Sequence, residues 1–286
     1  MKIAICISGG FRDCKKKHSN FHNYLIDNDL YEADVFFSSW NQKIPNFKQN
    51  LPDEASLEEV LELYRPKNFN YVSYTQEKRD FLYLHSGMKK FQEEYVPSHP
   101  LPIKRGGRWD KHNICNHCGH NGSYGGKCRT CGYQIVHNHL GMLYNVYCAD
   151  FLRRQWEAIN KFNYDFVIRT RFDTVYFQKI TQEILDLAKD NWVIPDNFHD
   201  FEEYGGGCND QFMISSSQLA TAYGDIFWAL NDMVYELYHS PGGYGIPHKS
   251  IDWQAKDKGI SIKKVPFSCC ISRILLQYIN QGKAKI

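Results

Sequence analysis

The chain has 286 residues, 43% of them hydrophobic and 15% aromatic, enough to bury a sizeable core as one domain or as one domain with an insertion. Its 34 Lys and Arg stand against 32 Asp and Glu, a formal charge of +2, which argues against the broad basic footprint of a duplex nucleic-acid binder and leaves room for a local basic patch. The apolar run in MKIAICISGG is too short for a signal-peptide core and no stretch reaches membrane length, so the expectation is a soluble, cytoplasmic protein without a signal peptide or a membrane span.

In chain order, KIAICISGGFR predicts a buried first strand that ends in the tight turn Ser8-Gly9-Gly10. A helix over HSNFHNYLIDNDLYEA and a second buried strand, ADVFFSSW, follow. DEASLEEVLELYRP has an acidic start, leucines at helical spacing and a stop at Pro66, and FNYVSYT is a third strand. The order β-α-β-α-β predicts an α/β fold built on parallel strands with helices on both faces. Residues 97–137 break the pattern with Pro97, Pro100, Pro102, several glycines and four clustered cysteines, so they read as an insertion. The expected organisation is residues 1–96 and 138–286 as two parts of one α/β domain, interrupted by 97–137. Past the insertion come a long amphipathic helix over LGMLYNVYCADFLRRQWEAINKF and a strand over YDFVIRTRFDTVYF. A helix over ITQEILDLAKD and a short strand NWVIP follow. Then come a Gly-rich loop, the strand QFMIS, one helix, and a late strand in GISIKKVPF.

The insertion holds Cys115, Cys118, Cys128 and Cys131 as two CxxC pairs within NICNHCGHNGSYGGKCRTCGYQI. A two-residue gap lets both sulfurs of a pair face one metal. The segment between the pairs is long enough for a hairpin, and Gly119 and Gly132 suit the turn after each knuckle. Four thiolates close a tetrahedral Zn²⁺ site with no open position, the structural type. Such a site folds a segment with little core of its own. His112, His117 and His120 are alternative ligands. Arg105, Arg108, Lys111, Lys127 and Arg129 give the segment a basic tint, either a solvated face or a contact for an anionic acceptor. The six remaining cysteines are scattered, and no disulfide framework is expected.

Three other segments carry candidate chemistry. The strand in YDFVIRTRFDTVYF ends in Arg169-Thr170-Arg171-Phe172-Asp173, and alternation places Arg169, Arg171 and Asp173 on one face at its C-terminal edge. Ligands of open α/β sheets bind at that edge. Two guanidiniums there suit phosphate oxygens, and a carboxylate suits a divalent cation. An Arg–Asp ion pair that closes the strand is the alternative. SGGFR offers Ser8, Gly9 and Gly10 for close backbone approach to a ligand, with Arg12 as a cation. It is neither a dinucleotide fingerprint nor a P-loop. In GGGCNDQFMIS, Asn209 and Asp210 precede a short strand, and Asp210 is a candidate general base or else a turn-capping Asp. Trp40, Tyr204 and Trp253 are candidate stacking residues, though most aromatics of the chain belong to core.

IAICISGGFR, ADVFFSSW, YDFVIRTRFDTVYF and NDQFMISSS, in this order, resemble the GT-A-fold glycosyltransferases of bacterial surface-polysaccharide clusters and large viruses. The resemblance covers most of the chain apart from the insertion, about which it says nothing. It implies a nucleotide-sugar donor and a hydroxyl acceptor such as a glycan. Ser8, Gly9, Gly10, Arg12 and Asn209 become donor contacts, Arg169, Arg171 and Asp173 hold phosphate and Mn²⁺ or Mg²⁺, and Asp210 is the base of an inverting reaction. The usual Asp-x-Asp metal motif is absent, since Thr174 and Val175 follow Asp173; His248 in GIPHKS is a candidate second ligand. Two alternatives stay open: sugar transfer to a modified DNA base, and a noncatalytic zinc-ribbon nucleic-acid-binding protein. For the zinc site, replacing Cys115 and Cys118 by Ser is expected to lower both zinc content, read by elemental analysis, and melting temperature. Unchanged zinc content would sink the assignment.

Overall fold

The computed structural model describes residues 1–40, 55–73, 75–87, 123–124, 127–128, 133–196, 208–239, 246–267 and 269–271. It is a mixed α/β architecture with a central sheet and helices on both faces. β1 (Lys2–Ser8) leads into α1 (Cys14–Phe21), which continues as a π-helical turn, His22–Ile26. β2 (Glu32–Trp40), α2 (Leu57–Tyr64), β3 (Asn68–Val72) and α3 (Gln76–His85) follow. The start of α2 is set by a capping box: Ser56 Oγ accepts from Glu59 N, and Glu59 Oε2 accepts from Ser56 N. β4 (Ser123–Tyr124) and β5 (Lys127–Cys128) pair as a short antiparallel ladder.

The second half runs α4 (Tyr133–Asn160), β6 (Phe166–Thr170), β7 (Thr174–Tyr176), α5 (Gln182–Ala188), β8 (Asn191–Pro195) and β9 (Met213–Ser216). It closes with α6 (Ser217–Gly224), α7 (Ile226–His239), α8 (Ile246–Asp257), β10 (Ser261–Val265) and β11 (Cys269–Ile271). Among the described residues the central sheet has the order β3-β2-β1-β6-β9-β8-β10. β1 is parallel to β2 and β6, β2 to β3, and β8 to β10, while β9 runs antiparallel to β6 and β8. β7 and β11 form a separate antiparallel pair.

Strand parity divides the core. Ile3, Ile5, Ile7, Val35, Phe37, Ile168 and Ile214 point to the face of α1, α2 and α5. Ala4, Cys6, Phe36, Val167 and Met213 point to the face of α4, α6, α7 and α8. β1 is apolar on both parities because helices cover both sides; burying each of its isoleucines contributes about 1.5–3 kcal/mol.

The structure differs from the sequence expectation in several places. The helix expected over residues 18–33 starts earlier, at Cys14, and ends as a π-helical turn at Ile26, and β2 already begins at Glu32. The strand expected over residues 164–177 breaks after Thr170, and β7 leaves the main sheet. The single helix expected after QFMIS is two, interrupted at Asp225, whose backbone leaves helical geometry. Just before the break, a Cβ on Gly224 would lie 2.6 Å from Asp150 Oδ2, so only glycine lets α6 come this close to α4. α4 begins at Tyr133, inside the stretch assigned to the insertion. α3 and α8 are additional helices; Pro247 in the first turn of α8 suits a helix start.

A buried charge cluster locks α4 to its neighbours. Arg153 is 1% exposed. It donates to Asp150 Oδ1 at 2.9 Å, Glu157 Oε2 at 2.6 Å and Thr221 Oγ1 at 3.1 Å, and also to Ser217 Oγ. Glu157 Oε1 accepts from Tyr164 N and Ser217 Oγ, both at 2.8 Å. Burial acts against the Arg153 charge, but Asp150, Cys6 and Glu157 outweigh it and hold the guanidinium protonated. Arg153→Met is expected to destabilise the protein by about 3–5 kcal/mol in denaturant titration, because it leaves Glu157 buried without its cation and Asp150 with only the pair to Arg154 at 3.0 Å.

Candidate active site

The site is built where the C-terminal ends of β1 and β6 meet the N-terminal end of β9. Parallel pairing sets Cys6 opposite Arg169 and Ile7 opposite Thr170. Antiparallel pairing sets Arg169 opposite Met213. SGGFR, RTRFD and CNDQF, far apart in sequence, therefore reach one edge of the sheet.

Ser8 ends β1 and is buried. Gly9 follows with φ +116, a conformation that side chains rarely adopt, and a Cβ there would meet none of the described residues within 4 Å. Gly9 N donates to Ser38 O at 3.2 Å, which ties the turn to β2. Arg12 lies half-buried just beyond. Phe11 packs edge-on to Phe172, ring centroids 5.1 Å apart, so one aromatic contact joins the first turn to the turn after β6. Phe172 also packs on Phe37 and Tyr64.

That packing explains why the expected alternation fails. Phe172 plugs the α1–α2 side of the core, and the chain turns instead of extending the strand. Arg171 and Asp173 therefore share a turn, not a strand face with Arg169. Arg171 Nε donates to Asp173 Oδ1 at 2.8 Å and Nη2 to Oδ2 at 2.9 Å, a bidentate pair. Burial acts against the Arg171 charge, but Asp173, with Asp210 adding, holds its pKa well above the ordinary value.

Arg169 is different. It is 3% exposed and its Nη2 donates to Ser8 Oγ at 3.4 Å, yet Nε and Nη1 have no hydrogen-bond partner among the described residues. Asn209 accepts from Gln211 N at 2.7 Å, so Asn209 takes the turn-forming role that Asp210 had as its alternative. Asn209 Nδ2 is buried and unmatched among the described residues.

Asp210 Oδ1 lies 3.8 Å from His248 Nδ1. The segment is held from both sides: Cys208 N donates to His248 O at 3.0 Å, and His248 Nδ1 lies 2.7 Å from Cys208 O. A carbonyl only accepts, so Nδ1 carries the proton of that bond. His248 thus braces the Asp210 segment. Among the described residues no group of three His, Cys, Asp or Glu is arranged to hold a metal ion. Both Asp173 oxygens accept from Arg171, and His248 Nδ1 is bonded to Cys208 O.

Cys115, Cys118 and Cys131, the alternative ligands His112, His117 and His120, and Tyr204 with the glycines of the Gly-rich loop all lie outside the described residues. So do Arg105, Arg108, Lys111 and Arg129. The backbone of Cys128 pairs with Ser123 in the β4–β5 ladder. Cys6, Cys14, Cys148 and Cys208 are thiols, not halves of disulfides. Burial pushes Cys14 up to about 11 and Cys208 up to about 12, so both are poor nucleophiles.

No family model matches the chain. No curated protein matches it in sequence either. Among solved structures, the apo form of mouse xyloside xylosyltransferase 1 is similar over 93% of this chain and 85% of that one, at 10% identity and a TM-score of 0.42. No helix among the described residues is long and apolar enough to cross a membrane.

Sequence reasoning missed Ser38, Asn70 and Asn145, which are joined by hydrogen bonds. A signal existed for Asn145: it shares a helical face with Ala149 and Arg153 at four-residue spacing. Arg171→Ala is expected to destabilise the fold by about 3 kcal/mol, because the buried Asp173 carboxylate loses its bidentate pair with the guanidinium. Arg171→Met combined with Asp173→Leu should recover most of that loss in the same unfolding assay; no recovery would show that the pair is not the cause.

Proposed function

We propose that the protein is a GT-A-like glycosyltransferase that moves a sugar from a nucleotide-sugar to a hydroxyl acceptor, a glycan, with inversion. The observation that carries this reading is Arg169, a buried guanidinium at the end of a central strand whose Nε and Nη1 are unmatched among the described residues, beside a turn where a Cβ on Gly9 would meet none of them within 4 Å. Such a group suits the oxygens of a diphosphate. Ser8, Gly9 and Gly10 border it, Arg12 adds a cation, and Asn209 adds an unmatched donor. Arg171 and Asp173 fix the turn beside it and add a net-neutral, polar wall.

In the proposed step the acceptor oxygen attacks the anomeric carbon as its proton passes to the Asp210 carboxylate. The bond from that carbon to the diphosphate breaks, and the electron pair leaves on the diphosphate oxygen. Arg169 stabilises the charge that develops there. His248 positions Asp210 through its bonds with Cys208. The described donor set does not fit a divalent cation, so no step here passes through one.

For the insertion, the proposal is a structural Zn²⁺ held by Cys115, Cys118, Cys128 and Cys131, whose four thiolates suit that ion. Sugar transfer to a DNA base and noncatalytic nucleic-acid binding have no separate observation in their favour among the described residues.

A thermal-shift and hydrolysis screen against nucleotide-sugars, run with and without Mn²⁺, tests the reading. Stabilisation and turnover by at least one donor are expected, and silence across the panel would sink it. Asp210→Asn should lower transfer by about a hundredfold or more while donor affinity stays nearly unchanged. A variant with full activity would remove Asp210 from the role of base.

A further inference from the structure

Helix α4 lies over the ends of β1 and β2 and brings an amide to them. Cys6 Sγ reaches Ala149 O at 3.8 Å. One turn earlier on the same helix, Asn145 Oδ1 accepts the Ser38 hydroxyl at 2.7 Å. Ser38 Oγ accepts from Asn70 Nδ2 at 2.9 Å. In the sheet register Ser8 stands opposite Ser38, and Ser38 opposite Asn70. Ser8 in turn accepts from Arg169. A polar row thus crosses β6, β1, β2 and β3 on one face, with Asn145 above it.

The row leaves donors unmatched at two points. Asn145 is 1% exposed, and its Nδ2 has no hydrogen-bond partner among the described residues; the same holds for Arg169 Nε and Nη1. A buried N–H without an acceptor costs free energy comparable to a lost hydrogen bond. Two such groups along one row, at the sheet edge where ligands of open α/β sheets bind, call for acceptors from a ligand.

The two points differ in chemistry. Arg169 carries charge and matches phosphate. Asn145 is neutral and is bonded to Ser38, which in turn accepts from Asn70, so it matches a neutral acceptor. Trp40, two residues beyond Ser38 on the same parity of β2, stacks on Tyr144, the residue before Asn145, with centroids 6.0 Å apart at 13°. Lys78 Nζ donates to Tyr144 Oη at 2.9 Å and holds the ring in place. An amide donor beside planar aromatic rings is the combination that reads a nucleobase by its edge and its face.

We infer that Asn145 determines nucleotide specificity by donating from Nδ2 to a carbonyl on the edge of the donor's nucleobase, while Arg169 holds the diphosphate. The inference rests on the nucleotide-sugar reading above and adds a residue to it.

Calorimetric titration of the full chain with UDP, GDP, CDP and ADP tests it. Asn145→Ala should weaken the preferred nucleoside diphosphate by about tenfold and shrink the preference over the others, whereas Arg169→Ala should weaken all four alike. Asn145→Ser, which keeps a small polar side chain, is the second variant should Ala impair folding. Unchanged affinity in both Asn145 variants, or equal weakening of all four ligands, overturns the assignment and leaves the nucleotide-sugar reading intact. A wild-type protein that binds none of the four removes the nucleotide-sugar reading itself, and this inference with it.

Discussion

The Arg153 guanidinium is the constraint on which the rest of the arrangement depends. It is a full charge enclosed between helices, and it is tolerable only because carboxylates and hydroxyls from several segments converge on it. Those segments are the ones that feed the candidate site. Asp150 and Glu157 belong to α4, which carries Asn145. Tyr164, held by Glu157, opens the path into β6 and so toward Arg169. Ser217 and Thr221 belong to α6, which follows β9 directly and so fixes the strand that Asp210 precedes. Satisfying one buried cation therefore sets the axial position of β6 and β9, two of the three strands whose ends meet at the site.

From that frame the site geometry follows by short steps. β9 runs antiparallel to β6, so its entry and the exit of β6 share an edge. The contact of Phe11 with Phe172 then couples the turn after β1 to the turn after β6, and the mutual bonds of Cys208 and His248 brace the Asp210 segment. Packed neighbours of this kind leave Arg169, Asn145 and Asn209 with donors unmatched among the described residues.

Much of the architecture was legible from residue pattern. KIAICIS and ADVFFSSW read as strands buried on both faces, and helices do cover both faces there. The α2 start was legible in its acidic first turn, and the structure adds the Ser56–Glu59 capping box. Less legible were elements whose signal is weak or shared. RTRFDTVYF alternates well enough to continue a strand, and only the cavity that accepts Phe172 reveals the turn. α3 mixes charged and apolar residues without a clear stripe. The residues of the site were partly visible: Ser8 and Arg169 at strand ends, Asp210 before one. Asn145 was hidden because a polar residue inside a long amphipathic helix looks like an ordinary solvent-facing position until the helix is docked.

By itself, then, the order of residues determined the local and periodic features: which strands are apolar on both parities, where α2 begins, that Gly9 suits a sharp turn, and that two CxxC pairs share one segment. These depend on neighbours a few residues apart. Tertiary structure alone decided that Arg171 closes on Asp173 while Arg169 is left with unmatched donors. It also decided that His248 braces Asp210 from across the fold, and that Ser38, Asn70 and Asn145 complete a row begun by Ser8. Those outcomes depend on sheet order, on the antiparallel sense of β9 and on the docking of α4. Each is fixed by long-range burial and charge neutralisation, which no local spacing records.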